Sequence, residues 1–325
     1  MVSRPIEWFA AVLAGTFGAL TATHVAAQAF PARTIRIVVP YSPGGGTDLL
    51  TRPLAQKFTE AFGQQTVVDN RPGANGIIGT DQVAKSPPDG HTLVMSTNAL
   101  TINPWIYPKM PFDTVRDLTP ITIVASTQNL LAVHPSVPAR TVKELIALAR
   151  SRPGELAFGS GGTGQPSHMS GELFMQLAGV KMIHVPYKGS GASITDLLAG
   201  QISVSFSSLP SLIQFVRADK LRALATCGAK RSLALPDLPT VSETLPGYDV
   251  SLWFALFGPA NMTRELATRL QGEVVRAIAA PDMKTRLADQ GYEPGGEAPE
   301  QLGARIRAEL DVWSRVVKAG NIRPQ

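Results

Sequence analysis

Two glycine-rich stretches hold the residues best suited to chemistry. In Pro40-Tyr-Ser-Pro-Gly-Gly-Gly-Thr-Asp48 and in Phe158-Gly-Ser-Gly-Gly-Thr-Gly-Gln165, an apolar segment runs through several glycines toward what reads as the start of a helix. Such a turn leaves backbone N–H groups without partners, and the positive end of the helix dipole favours an anion beside them. Glycine also lets a ligand come close to the main chain. Either loop alone is an ordinary strand-to-helix connection. Two of them, one in each half of the chain, point to paired donors facing a shared interdomain cleft, with a small anion as the ligand.

Other chemistries find less support. Neither loop matches G-x-x-x-x-G-K-[ST], and neither forms G-x-G-x-x-G with an acidic residue about twenty positions on. G-x-S-x-G, H-E-x-x-H and an EF-hand series of aspartates are all absent from the sequence. No catalytic residue, metal set or cofactor is therefore expected. Outside the N-terminal segment the histidines are His91, His134, His168 and His184, each isolated in sequence. His168 stands just beyond the second loop, near Ser160 and Ser167. It reads as a packing or loop-bracing residue, as a ligand contact, or as the base of a Ser/His hydrolase, for which no motif supplies the orienting carboxylate. Asp48 reads as a helix cap, since it would repel an anion; the alternative is acceptance from a ligand amine or hydroxyl. Trp253, Phe254 and Phe257 read as core or as cleft wall. The single cysteine, Cys227, can build neither a disulfide framework nor a cysteine zinc site and reads as a core thiol.

These residues need a scaffold, and composition bounds it. The chain has 325 residues, 44% hydrophobic and 17% charged, enough to bury a large core and too apolar for disorder. Lys+Arg 30 against Asp+Glu 25 gives a net charge of +5 with no run of five like charges, so no nucleic-acid partner is expected. Residues 1–29 read as a cleavable signal peptide: Arg4, an apolar run broken by Gly15 and Gly18, then Ala27-Gln28-Ala29 with cleavage near Ala29. No later segment is long and apolar enough to span a bilayer.

Strands are expected at residues 34–40, 66–69, 92–95, 121–125, 130–133, 156–158, 182–185, 202–206 and 221–226, from β-branched runs bounded by Gly and Pro. Helices are expected after Asp48 on Leu50, Leu54 and Phe58, and after the Thr141-Val-Lys-Glu144 capping box. Others follow from Pro166 to Gly179, over 193–199 and 264–279, and from Pro299 through Leu302, Ile306, Leu310, Trp313 and Val317. This alternation predicts an α/β protein with mainly parallel sheets.

The segments Ile-Arg-Ile-Val-Val-Pro-Tyr-Ser-Pro-Gly-Gly-Gly-Thr-Asp48, Val-Asp-Asn-Arg-Pro-Gly-Ala-Asn-Gly76, Asp-Gly-His-Thr-Leu93, Phe-Gly-Ser-Gly-Gly-Thr-Gly164, His-Val-Pro-Tyr-Lys-Gly189, Asp-Leu-Leu-Ala-Gly200, Leu-Arg-Ala-Leu-Ala225 and Leu-Pro-Asp-Leu-Pro-Thr-Val241 occur in this order. Together they resemble the Bug/TctC family, periplasmic solute-binding receptors of tripartite tricarboxylate transporters. The resemblance implies a two-domain, type II periplasmic-binding-protein-like α/β fold that closes on a small organic carboxylate. It implies domain 1 over 30–125 and 247–325, domain 2 over 126–246, and crossings near Ala125 and Pro246. Carried over by position, the contacts are Tyr41, Gly45, Gly46, Thr47 and Asp48 on one side and Ser160, Gly162, Thr163 and Gly164 on the other, with Ser96 and Thr97 completing the wall. The implied partner is a membrane permease, with a sensor kinase as the alternative. The implied protein is a periplasmic monomer, with no cofactor and no enzymatic activity. A secreted Ser/His hydrolase or lyase is the competing reading.

One position departs from the family pattern. Phe206-Ser207-Ser208-Leu209-Pro210 stands where many members have an Asp after the Phe, so Ser207 offers a hydroxyl where an ammonium partner is expected. The expected ligand is therefore a carboxylate without an amino group, or a dicarboxylate or aromatic acid.

Overall fold

The computed structural model describes residues 30–320; the proposed signal peptide and residues 321–325 lie outside the described residues. The chain builds two sheets, each the centre of a lobe. In the first lobe, β1 (Ile35–Val39) lies between β2 (Thr66–Asn70) and β3 (Thr92–Thr97), parallel to both. Then come β4 (Leu118–Gln128), β10 (Ser251–Pro259) and β11 (Glu293–Pro294), and the spatial order is β11-β4-β10-β3-β1-β2. β10 runs antiparallel to β3 and β4. The second sheet has the order β7-β6-β8-β5-β9, from β5 (Leu130–Val133), β6 (Ala157–Ser160), β7 (Ile183–Pro186), β8 (Val204–Ser205) and β9 (Arg222–Thr226). Here β6, β7 and β8 are parallel, while β5 is antiparallel to β8 and β9. Both sheets are thus mixed rather than mainly parallel: a run of apolar residues does not reveal strand direction, and each return crossing between the lobes inserts a reversed strand.

Helices cover both faces of each sheet. In the first lobe they are α1 (Gly46–Phe62), α2 (Ile77–Ala84), α3 (Ala99–Ile106), α8 (Arg264–Ala279), α9 (Pro281–Gln290) and α10 (Pro299–Gly320). In the second they are α4 (Val142–Ser151), α5 (Pro166–Ala178), α6 (Ser190–Leu198) and α7 (Leu209–Arg217). Strand alternation splits the cores. Ile35, Ile37 and Val39 pack with Leu50, Leu54, Phe58 and Leu270 on one face, and Val38 with Leu100, Leu302 and Ile306 on the other. Along the buried β10, Phe254 and Leu256 belong to the first cluster and Trp253 and Phe257 to the second. In the second lobe, Leu131 and Val133 face α4 and α5, while Leu130 and Ala132 face α6 and α7.

Half of the expected capping box forms: Thr141 Oγ1 accepts from Glu144 N at 3.1 Å, while the Glu144 carboxylate accepts from Arg140 N at 2.6 Å, one residue before the cap, and not from Thr141 N. Sequence periodicity missed α2, α3, α7 and α9, each ten residues or shorter and so spanning few turns. α6 begins three residues earlier than expected, at Ser190, because Gly191 dilutes the local helix signal.

Candidate functional site

Four helices, α1, α5, α6 and α7, each follow a parallel strand, namely β1, β6, β7 and β8. Each helix therefore starts at the carboxyl edge of its sheet, where α/β proteins bind ligands. The two edges face each other. A cavity between the lobes is lined by the opening residues of all four: Gly45, Gly46 and Thr47 of α1, Gln165, Pro166 and Ser167 of α5, Ser190 of α6, and Ser208, the cap of α7. Tyr41, Thr97, Asn129, Leu252 and Phe254 complete the wall. Among the described residues that line it, none is an acid or a base at neutral pH. The field inside comes from the helix ends, each equivalent to roughly half a positive charge.

Of the expected contacts, Tyr41, Gly45, Gly46, Thr47 and Thr97 come together here. Tyr41 is buried, and its phenol lies 3.4 Å from Ser96 Oγ and 3.2 Å from Thr97 Oγ1, so Ser96 acts from behind by holding Tyr41. Burial pushes the Tyr41 phenol above its usual value, which keeps it a neutral hydrogen-bonding group. Asp48 is a brace. Its carboxylate receives Arg52 at 3.0 and 2.8 Å, Gly44 N at 3.0 Å and Asn70 Nδ2 at 3.1 Å, which fixes the first loop and neutralises the charge before it reaches the cavity.

The second glycine loop is placed differently from the expectation. Gly161 N donates to Ser167 Oγ (3.0 Å), Gly162 N to Ser160 Oγ (3.1 Å) and Gly164 N to His168 Nδ1 (3.1 Å). The carbonyl of Thr163 accepts from Tyr107 at 3.1 Å. Ser160, Gly162, Thr163 and Gly164 therefore stand one layer behind the cavity, and the residues that follow them line it. His168 braces this loop: its Nε2 faces Glu172 at 3.2 Å and its ring stacks on His184 at 3.9 Å. The Ser–His contact nearest the loop is Ser160 Oγ with His184 Nε2 at 2.6 Å, and Ser160 is wholly buried beneath it. His184 is depressed to about 3, by burial and then by the nearby His168. Cys227 is an inert core thiol, pushed up to about 12 by burial.

Ser207 is not on the cavity wall; it bonds Ser205 Oγ through its own hydroxyl (2.9 Å) and its N–H (3.1 Å), and its neighbour Ser208 lines the site. Sequence reasoning also missed Ser190, Gln165, Ser167 and Asn129. A helix beginning at 190 was the signal available for the first of these; Asn129 sits between two strands and carries no local signature.

The mouth is closed. Ser42 N and Ser42 Oγ both donate to Lys188 O, at 3.1 and 2.7 Å, joining the loop before α1 to the loop before α6. Glycines permit the approach: a Cβ on Gly191 would lie 1.9 Å from Pro43 O, and one on Gly189 would lie 2.5 Å from Ser42 N. The enclosed space is small, and a ligand must enter with the lobes apart. Among the described residues, no helix is long and apolar enough to cross a membrane.

Residues 50–322 match the model of the tripartite tricarboxylate transporter family receptor. A UPF0065 protein in the tcbD-tcbE intergenic region of Pseudomonas sp. (strain P51) is 38% identical over 311 residues, covering 94% of this chain and 93% of that protein. Protein BugT of Bordetella pertussis is 35% identical over 300 residues, covering 91% and 92%. Among solved structures, R. palustris Rpa4515 with adipate superposes with a TM-score of 0.88 at 36% identity, covering 91% of this chain and all of that one.

Proposed function

Since this chain belongs to the tripartite tricarboxylate transporter receptor family, we propose that it is a periplasmic receptor that closes on a small organic carboxylate and delivers it to a membrane permease. One observation carries the reading: four helix N-termini converge on a cavity whose lining holds no charged side chain. Together those ends present on the order of two positive charges. That matches a dicarboxylate and needs no arginine. A relative whose solved structure is that of the protein with adipate supports the same class of ligand. The lining amides and hydroxyls of Gly46, Thr47, Ser167, Ser190 and Ser208 would hold the carboxylates, and closure would expel water and strengthen each of those bonds.

The crossings at residues 128–130 and 226–251 connect the sheets and would act as hinges. The receptor would bind without turnover, because the Ser160 and His184 pair lies behind the wall rather than on it. Mass spectrometry of the acid retained after gentle purification, followed by isothermal titration with a panel of mono-, di- and tricarboxylates, tests the reading. A dissociation constant in the micromolar range or below for at least one acid is expected; a cation or neutral sugar as the tight ligand would overturn it.

A further inference from the structure

We propose that Tyr107 and Met169 form a latch that clasps the lobes once they have closed and sets how long the ligand is held; this rests on the receptor reading above. The two contacts use none of the mouth residues. Tyr107, which directly follows α3 in the first lobe, donates its phenolic O–H to the carbonyl of Thr163 in the second lobe at 3.1 Å. Met169 reaches from α5 of the second lobe and packs with Ile102 and Ile106 of α3 and Val317 of α10, all of them buried. Among the described residues of that cluster it is the one from the second lobe, and the Tyr107 ring lies against the same cluster. The approach is close: a Cβ on Gly164, between the two contacts, would lie 2.8 Å from Ile106 Cδ1 and 3.2 Å from Asn75 Nδ2.

Thr163 and Met169 bracket Gln165, Pro166 and Ser167, the residues opening α5 that line the cavity. Holding both points against α3 therefore seats the start of α5 on the first lobe. Neither contact needs a ligand atom. A hydrogen bond and a buried thioether act only over a few ångströms, so lobe separation breaks the first and exposes the second to water. Burial keeps the Tyr107 phenol above its usual value, so it stays a neutral donor at ordinary pH. Interactions made only in the closed form raise its population and slow its opening. They cannot help a ligand find the open form, so they act on dissociation rather than on association.

Stopped-flow tryptophan fluorescence tests this with whichever of succinate, glutarate, adipate and citrate binds most tightly, Trp313 serving as a reporter because it packs on the latch cluster. Tyr107→Phe keeps the ring and removes only the hydroxyl, and dissociation should quicken about three- to tenfold. Met169→Ala empties the socket and should quicken it at least about tenfold, while Met169→Leu refills the socket and should return it to within about twofold of the parent. Association rate constants should stay within about twofold throughout. Melting without ligand should stay near that of the parent, since the open form engages neither side chain. Parent dissociation rates in both Tyr107→Phe and Met169→Ala, with the acid still bound, would overturn the latch and leave the receptor reading standing; so would a change confined to association. Failure of every carboxylate to bind would overturn the receptor reading itself, and this inference with it.

Discussion

Gly191→Ala isolates lobe closure from folding. Gly191 is the second residue of α6, in ordinary helical conformation, so alanine suits its own backbone. The obstacle lies across the mouth, where the added methyl would sit 1.9 Å from Pro43 O and 3.3 Å from Gly45 N. Because the first of these is main chain, it cannot swing aside, and the two loops must separate by more than an ångström. That separation breaks both Ser42 hydrogen bonds to Lys188 O. Partly exposed bonds of this kind contribute about 0.5–1 kcal/mol each, so the closed form loses about 1–2 kcal/mol and ligand affinity falls about five- to thirtyfold. The open form has room for the methyl, so the melting temperature without ligand should stay near that of the parent. Gly272→Ala is the control: it lies in α8 with no atom nearer than 4.0 Å to the new methyl and should raise stability by roughly 0.5–1 kcal/mol without touching binding. Titration calorimetry gives the affinity, and small-angle scattering with and without ligand gives the compaction. A Gly191→Ala protein that binds within twofold of the parent and compacts as fully would refute the assignment of these loops as the closing mouth.

Other expectations follow from the same geometry. Ser208→Asp puts a residue type suited to the cap position at the start of α7 but places an anion on the cavity wall; two unit charges about 5 Å apart at an effective dielectric of 20 repel by roughly 3 kcal/mol, so carboxylate affinity should fall at least about a hundredfold while urea unfolding stays near normal. His184 is held neutral to about pH 3, whereas in the unfolded chain it protonates near 6.5. The unfolded state therefore binds the extra proton between those values, and stability should be flat above about pH 6.5 and decline below it, by up to about 1.4 kcal/mol per pH unit. Urea midpoints measured from pH 8 to 4 check this, and His184→Gln should flatten the acid limb. Thr141→Ala removes the acceptor for Glu144 N and should cost about 1 kcal/mol in thermal unfolding with ligand affinity unchanged.

Much of this protein was legible in its residues. The strand and helix around each glycine loop, the Thr141 helix cap and the burial of Cys227 follow from periodicity, turn chemistry and composition, which act over a few neighbouring positions. The glycines also pointed to a backbone-built site, and Tyr41, Gly45, Gly46 and Thr47 do line the cavity between the lobes. What they could not show is which amides stay free. The second loop's N–H groups look available in the sequence, yet Ser160 at the end of β6 and Ser167 and His168 in the first turn of α5 engage them, the last two only once α5 has formed against the loop. Nor does a linear pattern tell that Ser190 and Ser208 reach the cavity. Their placement depends on the strand order β7-β6-β8, which sets the starts of α5, α6 and α7 side by side opposite α1. Local sequence thus determined that helix ends would offer donors suited to an anion, because a helix end carries its dipole wherever it lies. Only the tertiary structure decided that four of them meet at one cavity, because convergence is a property of how the sheets are ordered and how the two lobes close.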